Sequence, residues 1–431
     1  MRTLAEWLVL QESVHPQSID LSLTRVTEVA RVLEVDAPAW PVVTVAGTNG
    51  KGSTAAHIEA LLTAAGARTG LFTSPHLQRY NERIRVAGEE VGDAELLFAF
   101  ERIEAARGPT TLTFFEYSTL AALLIFQRRE VDAAVLEVGL GGRLDAANLV
   151  AAHVAVLTSV GFDHRDWLGD TLDEIGAEKA GIFRGGRPAV LGTPEMPPSV
   201  GAAIARVGAH ALIAERDFSW RCEEVGSWSY AGPQLRLQDL PASALAGSIQ
   251  YRNAATAVTA VQALLAGATA PLSALSLTQA VVAQGLRKVQ LPGRLQILRG
   301  EGEVEWVLDI AHNEPAAQVL ARHLRERPPR PGQRTLAVAG VLADKDAFGI
   351  ASALRPLVDR WFLCSLPGPR GLAAQELLRR TQLPADEVTL LADVAAACQA
   401  AREAARPADR VLVFGSAVTV GAALGWLGTQ R

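Results

Sequence analysis

The stretch Val43-Thr44-Val45-Ala46-Gly47-Thr48-Asn49-Gly50-Lys51-Gly52-Ser53-Thr54 decides the fold. An apolar, β-branched run enters a glycine-rich loop with one lysine, and an alanine-rich helical segment follows. Glycines let backbone N–H groups turn inward on an anion, the following helix presents its positive end, and Lys51 is long enough to reach terminal phosphates. The stretch reads as a phosphate cradle in which Gly47, Thr48, Asn49, Gly50, Lys51, Gly52 and Ser53 hold a nucleotide. Two departures from the common Walker pattern stand out: Val45 replaces the first glycine, and Gly52 separates the lysine from the hydroxyl residue. A tight strand-to-helix turn without a ligand is the plainer alternative.

Outward from the loop, Val42–Val45, Thr69–Phe72, Ala133–Glu137 and Val154–Thr158 form short apolar runs. Longer Ala/Leu-rich segments such as Ala55–Ala65 and Ser118–Arg129 separate them, the pattern of a parallel sheet covered by helices. Between Phe218 and Ser248 the text turns aromatic and polar, which predicts a small antiparallel sheet ahead of a helix carrying Asn253–Leu265. Arg287–Gly293, with Pro292 and Gly293, predicts a boundary. Beyond it a second alternation runs through Val304–Ile310, Thr335–Val341, Arg360–Cys364 and Arg410–Phe414, and Arg325–Gly332 reads as a surface loop. The expected organisation is an N-terminal ATP-binding domain over 1–291 and a smaller Rossmann-like domain over 292–431.

At 431 residues the chain exceeds one typical core. A net charge of −5 argues against a nucleic-acid or anionic-membrane surface, so phosphate binding is local. Cys222, Cys364 and Cys398 are widely spaced, without a C-x-x-C pair, and predict neither disulfides nor a zinc knuckle. No uncharged run is long enough to span a bilayer. The expected setting is the cytoplasm.

The loop does not stand alone. In order follow Ser74-Pro75-His76-Leu77, Asn81-Glu82-Arg83-Ile84-Arg85, Glu137-Val138-Gly139-Leu140-Gly141-Gly142-Arg143-Leu144-Asp145, Asp163-His164, Glu178-Lys179-Ala180-Gly181-Ile182, Pro292-Gly293-Arg294 and Asp309-Ile310-Ala311-His312-Asn313. Together these resemble folylpolyglutamate synthases and the bifunctional dihydrofolate/folylpolyglutamate synthases of the Mur ligase superfamily. The resemblance implies an α/β fold, a P-loop central domain with a small antiparallel subsheet and a Rossmann-like C-terminal domain.

Glu137 has a rationale of its own, because an acid ending a strand of a P-loop sheet can hold the magnesium that bridges nucleotide phosphates. The resemblance adds Ser74 and His164 as further metal ligands, although imidazole is an unusual partner for hard Mg²⁺. It also implies two magnesium ions, a carbamylated Lys179, Asn253 at the adenine, and Asp309 and His312 near the ribose and the reaction centre. Arg294 follows Pro292-Gly293, so a planar cation could reach across a cleft to a transferring phosphoryl group. Read singly, Lys179 is a surface lysine, His164 a packed or surface histidine, and Arg294 an exposed arginine. Two departures from relatives are Ile310, where glycine is common, and Tyr251-Arg252 ahead of Asn253.

The implied reaction is ATP-dependent amide ligation through an acyl phosphate, with Lys51, Lys179, Arg294 and His312 as catalytic residues and L-glutamate as the amine. Ser18-Ile19-Asp20-Leu21-Ser22-Leu23-Thr24-Arg25-Val26 and Thr113-Phe114-Phe115-Glu116 resemble segments of bifunctional enzymes that accept dihydropteroate as well as reduced folates. Phe114, Phe115, Glu116, Asp145 and Arg83 are the expected substrate contacts, with the aromatic pair as plain core the alternative. Polyglutamylation alone is the second reading, and a non-catalytic nucleotide-binding regulator the third. Peptidoglycan-precursor Mur ligases fit less well, because the short stretch ahead of Gly47 leaves no room for a nucleotide-sugar domain. The expected partners are small molecules, with no nucleic acid or membrane, and the expected state is a monomer.

Overall fold

Val42–Ala46 is buried at every position, as a strand covered on both faces must be. A computed structural model of the chain describes residues 2–17, 19–223, 226–299, 304–329 and 332–429. It divides into two compact units. The first comprises Met1–Ser74, Asn81–Ala244 and Gln250–Gln290, and the second Pro75–Tyr80, Leu245–Ile249 and Leu291–Arg431. No described helix is long and apolar enough to cross a membrane.

The first unit's main sheet uses β1 (Val42–Ala46), β2 (Thr69–Phe72), β3 (Ile84–Val86), β4 (Glu89–Glu90), β5 (Ala133–Glu137), β6 (Val154–Leu157), β7 (Pro188–Leu191) and β8 (His210–Ile213). Their order is β4-β3-β2-β5-β1-β6-β7-β8. The six strands from β2 to β8 in that order are parallel, and β3 and β4 add an antiparallel edge. This edge adds to the expected parallel sheet. The outermost strand consists of two exposed glutamates, and charge there discourages edge-to-edge pairing with another chain.

The helix Lys51–Ala64 follows the loop, while Phe114–Arg128 begins four residues before the predicted Ser118 and so places the aromatic pair in its first turn. The predicted antiparallel sheet is present as β9 (Ser219–Cys222), β10 (Ser227–Ala231) and β11 (Arg236–Pro241), with residues 224 and 225 outside the description. Its alternation buries Trp228 and Tyr230 on one face, and the Tyr230 hydroxyl lies 2.9 Å from Thr259 Oγ1 on the helix Ile249–Ala266. That contact braces the helix carrying Asn253.

The second unit holds β12 (Gln296–Arg299), β13 (Glu305–Leu308), β14 (Thr335–Ala339), β15 (Arg360–Cys364), β16 (Val388–Leu391) and β17 (Arg410–Phe414). The order is β12-β13-β17-β14-β15-β16, with only β12 antiparallel. Trp306, Leu308, Leu336, Val411 and Val413 pack on one face, and Val307, Ala337 and Leu412 on the other, the period-two signature of a sheet buried on both sides. β12 and β16 were not predicted. Of the expected loop Arg325–Gly332, Arg325 and Glu326 end the helix Glu314–Glu326, and residues 330 and 331 lie outside the description.

Arg85 of the Asn81–Arg85 motif has a structural task. Its guanidinium donates to Glu59 Oε2 at 2.6 Å and to the Gln290 carbonyl at 2.9 Å, joining β3, the helix after the phosphate loop and the end of the unit. Both side chains are buried, and burial pushes the Glu59 carboxyl up against the pull of Arg85. Arg85→Met alone strands a buried carboxylate and is expected to cost about 3–5 kcal/mol. Urea unfolding checks this, and the double variant Glu59→Leu/Arg85→Met should recover most of the loss.

Candidate functional site

Strand register brings three loops to one level. β1 pairs β5 on one side, with Val45 opposite Glu137, and β6 on the other, with Ala46 opposite Leu157. The chain leaves these carboxyl ends as the loop Gly47–Gly50, the turn Val138–Asp145 and the segment Thr158–His164, the place where open α/β sheets form ligand crevices.

The loop is held from β6. Thr48 N donates to Ser159 O at 2.8 Å, Thr158 Oγ1 donates to Asn49 O at 2.7 Å, and Gly161 N donates to Thr48 Oγ1 at 2.9 Å. Gly50 adopts φ +88°, which admits an L side chain only with strain, and a Cβ there would lie 3.1 Å from Asn253 Oδ1. A Cβ on Gly47 would lie 1.9 Å from Thr158 Oγ1. Asn253, expected at the adenine, thus stands against the loop, with its amide donating to Gln250 Oε1 at 3.0 Å. The preceding Tyr251 packs its ring 5.8 Å from that of Trp228.

Two amines meet at one carbonyl. Lys51 Nζ donates to Gly47 O at 3.0 Å and to Thr48 O at 3.2 Å, and Lys179 Nζ donates to Gly47 O at 3.2 Å. Lys179 is only 5% exposed, so it is not the surface lysine of the simpler reading. Burial, reinforced by Lys51, pulls its amine down to about 7, against the opposing pull of Asp163 and Asp145. Burial likewise pushes Asp145 up to about 7, although its carboxylate accepts from Leu140 N at 2.8 Å and Ala147 N at 2.9 Å and faces Lys51. The chain has only four lysines among 41 basic residues. A guanidinium could not discharge under these conditions, so the choice of lysine is chemically specific.

Glu137 Oε2 accepts from Ser74 N at 3.0 Å and from the Thr73 hydroxyl. His164 occupies the left-handed region at φ +52°, a costly conformation for a β-substituted residue, and Asp163 Oδ1 accepts from its backbone N–H at 2.9 Å. Among the described residues no group of three His, Cys, Asp or Glu side chains is arranged to hold a metal unaided. Of the three expected ligands, the Glu137 carboxylate and the Ser74 hydroxyl are oxygen donors of the kind a hard cation takes, and the His164 imidazole is an unusual one.

The expected substrate contacts divide. Arg83 lies over the Phe114 ring at 5.1 Å. Phe115 packs 5.5 Å from Phe72 and so closely on Gly139 that a Cβ there would meet its ring at 2.7 Å. Glu116 caps its own helix through Thr113 and accepts from Arg25 Nε at 3.0 Å, while Arg25 also holds Asp20 at 2.7 Å. Ser18, which opens that N-terminal segment, lies outside the description. Thr73, Thr158 and Ser159 had no assigned role in the sequence; they are identifiable only once register places them beside Glu137 and the loop.

The second unit gathers its own candidates at the end of β13. Asp309 accepts from Leu295 N and Ala311 N, both at 2.8 Å, and burial pushes its carboxyl up against the opposing pull of Arg294, these two amides and His312. The His312 ring nitrogen Nδ1 lies 2.8 Å from Ile310 O. Ile310 is not among the positive-φ residues, so the backbone there accepts a branched side chain without strain.

Comparison with known proteins is consistent over the whole chain. Residues 45–192 match the Mur ligase middle domain, and residues 293–417 match the Mur ligase glutamate ligase domain. The dihydrofolate synthase/folylpolyglutamate synthase of Escherichia coli K12 is 42% identical over 97% of this chain and 94% of its own, and the Haemophilus influenzae protein of the same name is 36% identical over 97% and 96%. Among solved structures, E. coli FolC in complex with DHPP and ADP superposes with a TM-score of 0.91 at 40% identity, covering 100% of this chain and 99% of its own. A bifunctional folylpolyglutamate synthase/dihydrofolate synthase with Mn, AMPPNP and L-glutamate bound gives 0.88 at 39% identity, covering 99% and 98%.

Four lysines make the amines individually observable. In CO2-free buffer without nucleotide, NMR of 13Cε-labelled lysine is expected to show one signal, absent in Lys179→Ala, with a midpoint near 7. Since this folded-state value is lowered, the group costs stability below about 7, and that cost is relieved as pH rises from 7 toward the unfolded value of 10.5. Four signals all titrating near the ordinary lysine value would contradict the buried site.

Proposed function

The chain belongs to the Mur ligase family, among the dihydrofolate synthase/folylpolyglutamate synthases, and on that premise we propose that it uses ATP to join L-glutamate to dihydropteroate and to the glutamyl tail of reduced folates. The observation that carries the reading is the meeting of Lys51 and Lys179 on Gly47 O at the head of a phosphate loop. Residues 1–291 serve as the ATP-binding domain and 292–431 as the glutamate ligase domain, and a single chain carries both.

A carboxylate is a poor acylating agent because its leaving group would be oxide. In the first step a substrate carboxylate oxygen attacks the γ-phosphorus and ADP departs, leaving an acyl phosphate. The glutamate amine then attacks the carbonyl carbon, loses a proton, and phosphate leaves with the bonding electrons. Backbone N–H groups of Gly47–Ser53 and the Lys51 ammonium bind the phosphates and meet the charge that develops on them. Asn253, held against Gly50, orients the nucleotide at the loop. Their match to the family motifs assigns Arg294, Asp309 and His312 to the nucleotide and the reaction centre. Arg83, Phe114, Phe115, Glu116 and Asp145 serve the pterin-bearing substrate.

Ser74, Glu137 and His164 would hold one magnesium ion, and a carbamate on Lys179 would help hold a second. When bound, the cations neutralise phosphate charge and polarise the transferred group. The carbamate is supported by this chain's own chemistry. Only a neutral amine adds CO2, and burial leaves Lys179 largely neutral above about 7. A buried carbamate anion would also relieve the repulsion between two adjacent amines.

The deciding measurement is ADP release with MgATP and L-glutamate, supplying dihydropteroate in one reaction and a reduced monoglutamyl folate in another, with products identified by mass. Turnover in both supports the bifunctional reading; turnover with folate alone restricts it to polyglutamylation; ATP binding with neither supports the non-catalytic alternative.

Lys51→Ala is expected to lower turnover by about 100- to 1,000-fold while circular dichroism stays unchanged. Lys179→Ala should impair turnover and be partly restored by small carboxylates that replace the carbamate. A fully active Lys179→Ala protein would exclude a required carbamate.

A further inference from the structure

The motif Gly139–Asp145 and the segment Glu178–Ile182 are separated by more than thirty residues in sequence, yet their backbones touch. A Cβ on Gly142 would lie 2.8 Å from Lys179 O and 2.9 Å from Glu178 O. Reciprocally, a Cβ on Gly181 would lie 2.4 Å from Arg143 Cβ. Arg143 N donates to Glu178 O at 2.9 Å, which orders one side of this contact.

One buried side chain orders the other. Asn148, 5% exposed, donates through Nδ2 to Arg143 O at 3.0 Å and to Gly181 O at 3.3 Å, so one amide bridges both segments. Its Oδ1 accepts from Arg184 Nη2 at 2.7 Å, which fixes which end of the amide faces the carbonyls. Arg184 reinforces the same backbone through Nη1, donating to Gly181 O and Phe183 O, both at 3.1 Å. Gly181 is two residues from Lys179, and Arg143 two from Asp145.

We propose that Asn148, locked by Arg184, is a positioning residue that holds Lys179 under the phosphate loop and in register with Asp145. The proposal rests on the reading of Lys179 as part of the reaction. The bridge acts on the two backbone segments together, so its loss shifts the amine relative to Gly47 O and the carboxylate at once. Substitution of groups that orient reactive residues costs about 10- to 100-fold in activity.

The test is Asn148→Ala, alone and combined with Lys179→Ala. The expected single variant melts as a folded protein, loses about 10- to 100-fold in kcat with KM for MgATP little changed, and shows a weakened 13C carbamate resonance in labelled bicarbonate. In the Lys179→Ala background, Asn148→Ala should cost no further activity, because a residue acting through Lys179 has nothing left to position. Wild-type kcat and carbamate occupancy in Asn148→Ala would overturn the proposal, as would losses that multiply in the double variant. If the wild-type protein gives no carbamate resonance while the two substitutions remain non-additive, the carbamate fails and the positioning role stands. Should Asn148→Ala not fold, Arg184→Met keeps the Asn148 amide while removing its lock and the Arg184 bonds to Gly181 O and Phe183 O, and carries the same double-variant comparison.

Discussion

Two amines share the Gly47 carbonyl, and the chemistry of the first unit is organised by that crowding. A carbonyl oxygen can accept both bonds, but two neighbouring ammonium ions away from water repel each other strongly. The less buried of the two is Lys51, whose amine lies on the Gly47 and Thr48 carbonyls of the loop where a phosphate would sit. Lys179 is the deeper of the two, and burial, with the Lys51 charge beside it, draws its amine down to about 7. Discharge turns a lysine from a counter-ion into a nucleophile, which an arginine in the same place could not become. The near-total use of arginine elsewhere makes the distinction visible, with only four lysines in the chain.

Bringing Lys179 under the loop demands backbone contact between distant segments, and glycine permits it. Gly142 and Gly181 are needed for proximity rather than for unusual torsion angles, since neither is among the positive-φ glycines. Gly47 and Gly50 answer the other demand, with φ +148° and +88° at the turn itself. Glycines that look equivalent in the motif text therefore do different physical work.

This difference explains what could be read from the sequence. The β1–loop–helix unit and Glu137 were legible because they depend on local pattern: an apolar strand, a glycine-rich turn, an acid at a strand's end. The antiparallel subsheet was legible from the change to aromatic and polar residues around Trp228 and Tyr230. The edge strand Glu89–Glu90 was not, because two charged residues carry no periodicity. Nor was β12, whose four residues acquire strand character only by pairing with β13. The buried state of Lys179 was invisible for the same reason: a glutamate-lysine pair on a helix looks solvated until the glycine contacts cover it. Phe115 was ambiguous in sequence and is divided in the structure, with its ring packed on Phe72 and Gly139 while part of its surface stays open.

Two acids of the first unit differ from several carboxylates elsewhere in how they are held, and the contrast bears on what the site is built to receive. Glu59 is matched to the Arg85 guanidinium and Asp409 to that of Arg334. Glu137 is oriented by a hydroxyl and a backbone amide, and Asp145 by backbone amides. Neutral donors fix the direction of a carboxylate without supplying the full charge that an arginine would. An acid held as Glu137 is would keep its negative field available for a cation that arrives with the nucleotide. A guanidinium on Glu137 would stabilise the apoprotein and compete with that cation, so the hydroxyl of Thr73 suits a binding site where an arginine would suit only a scaffold.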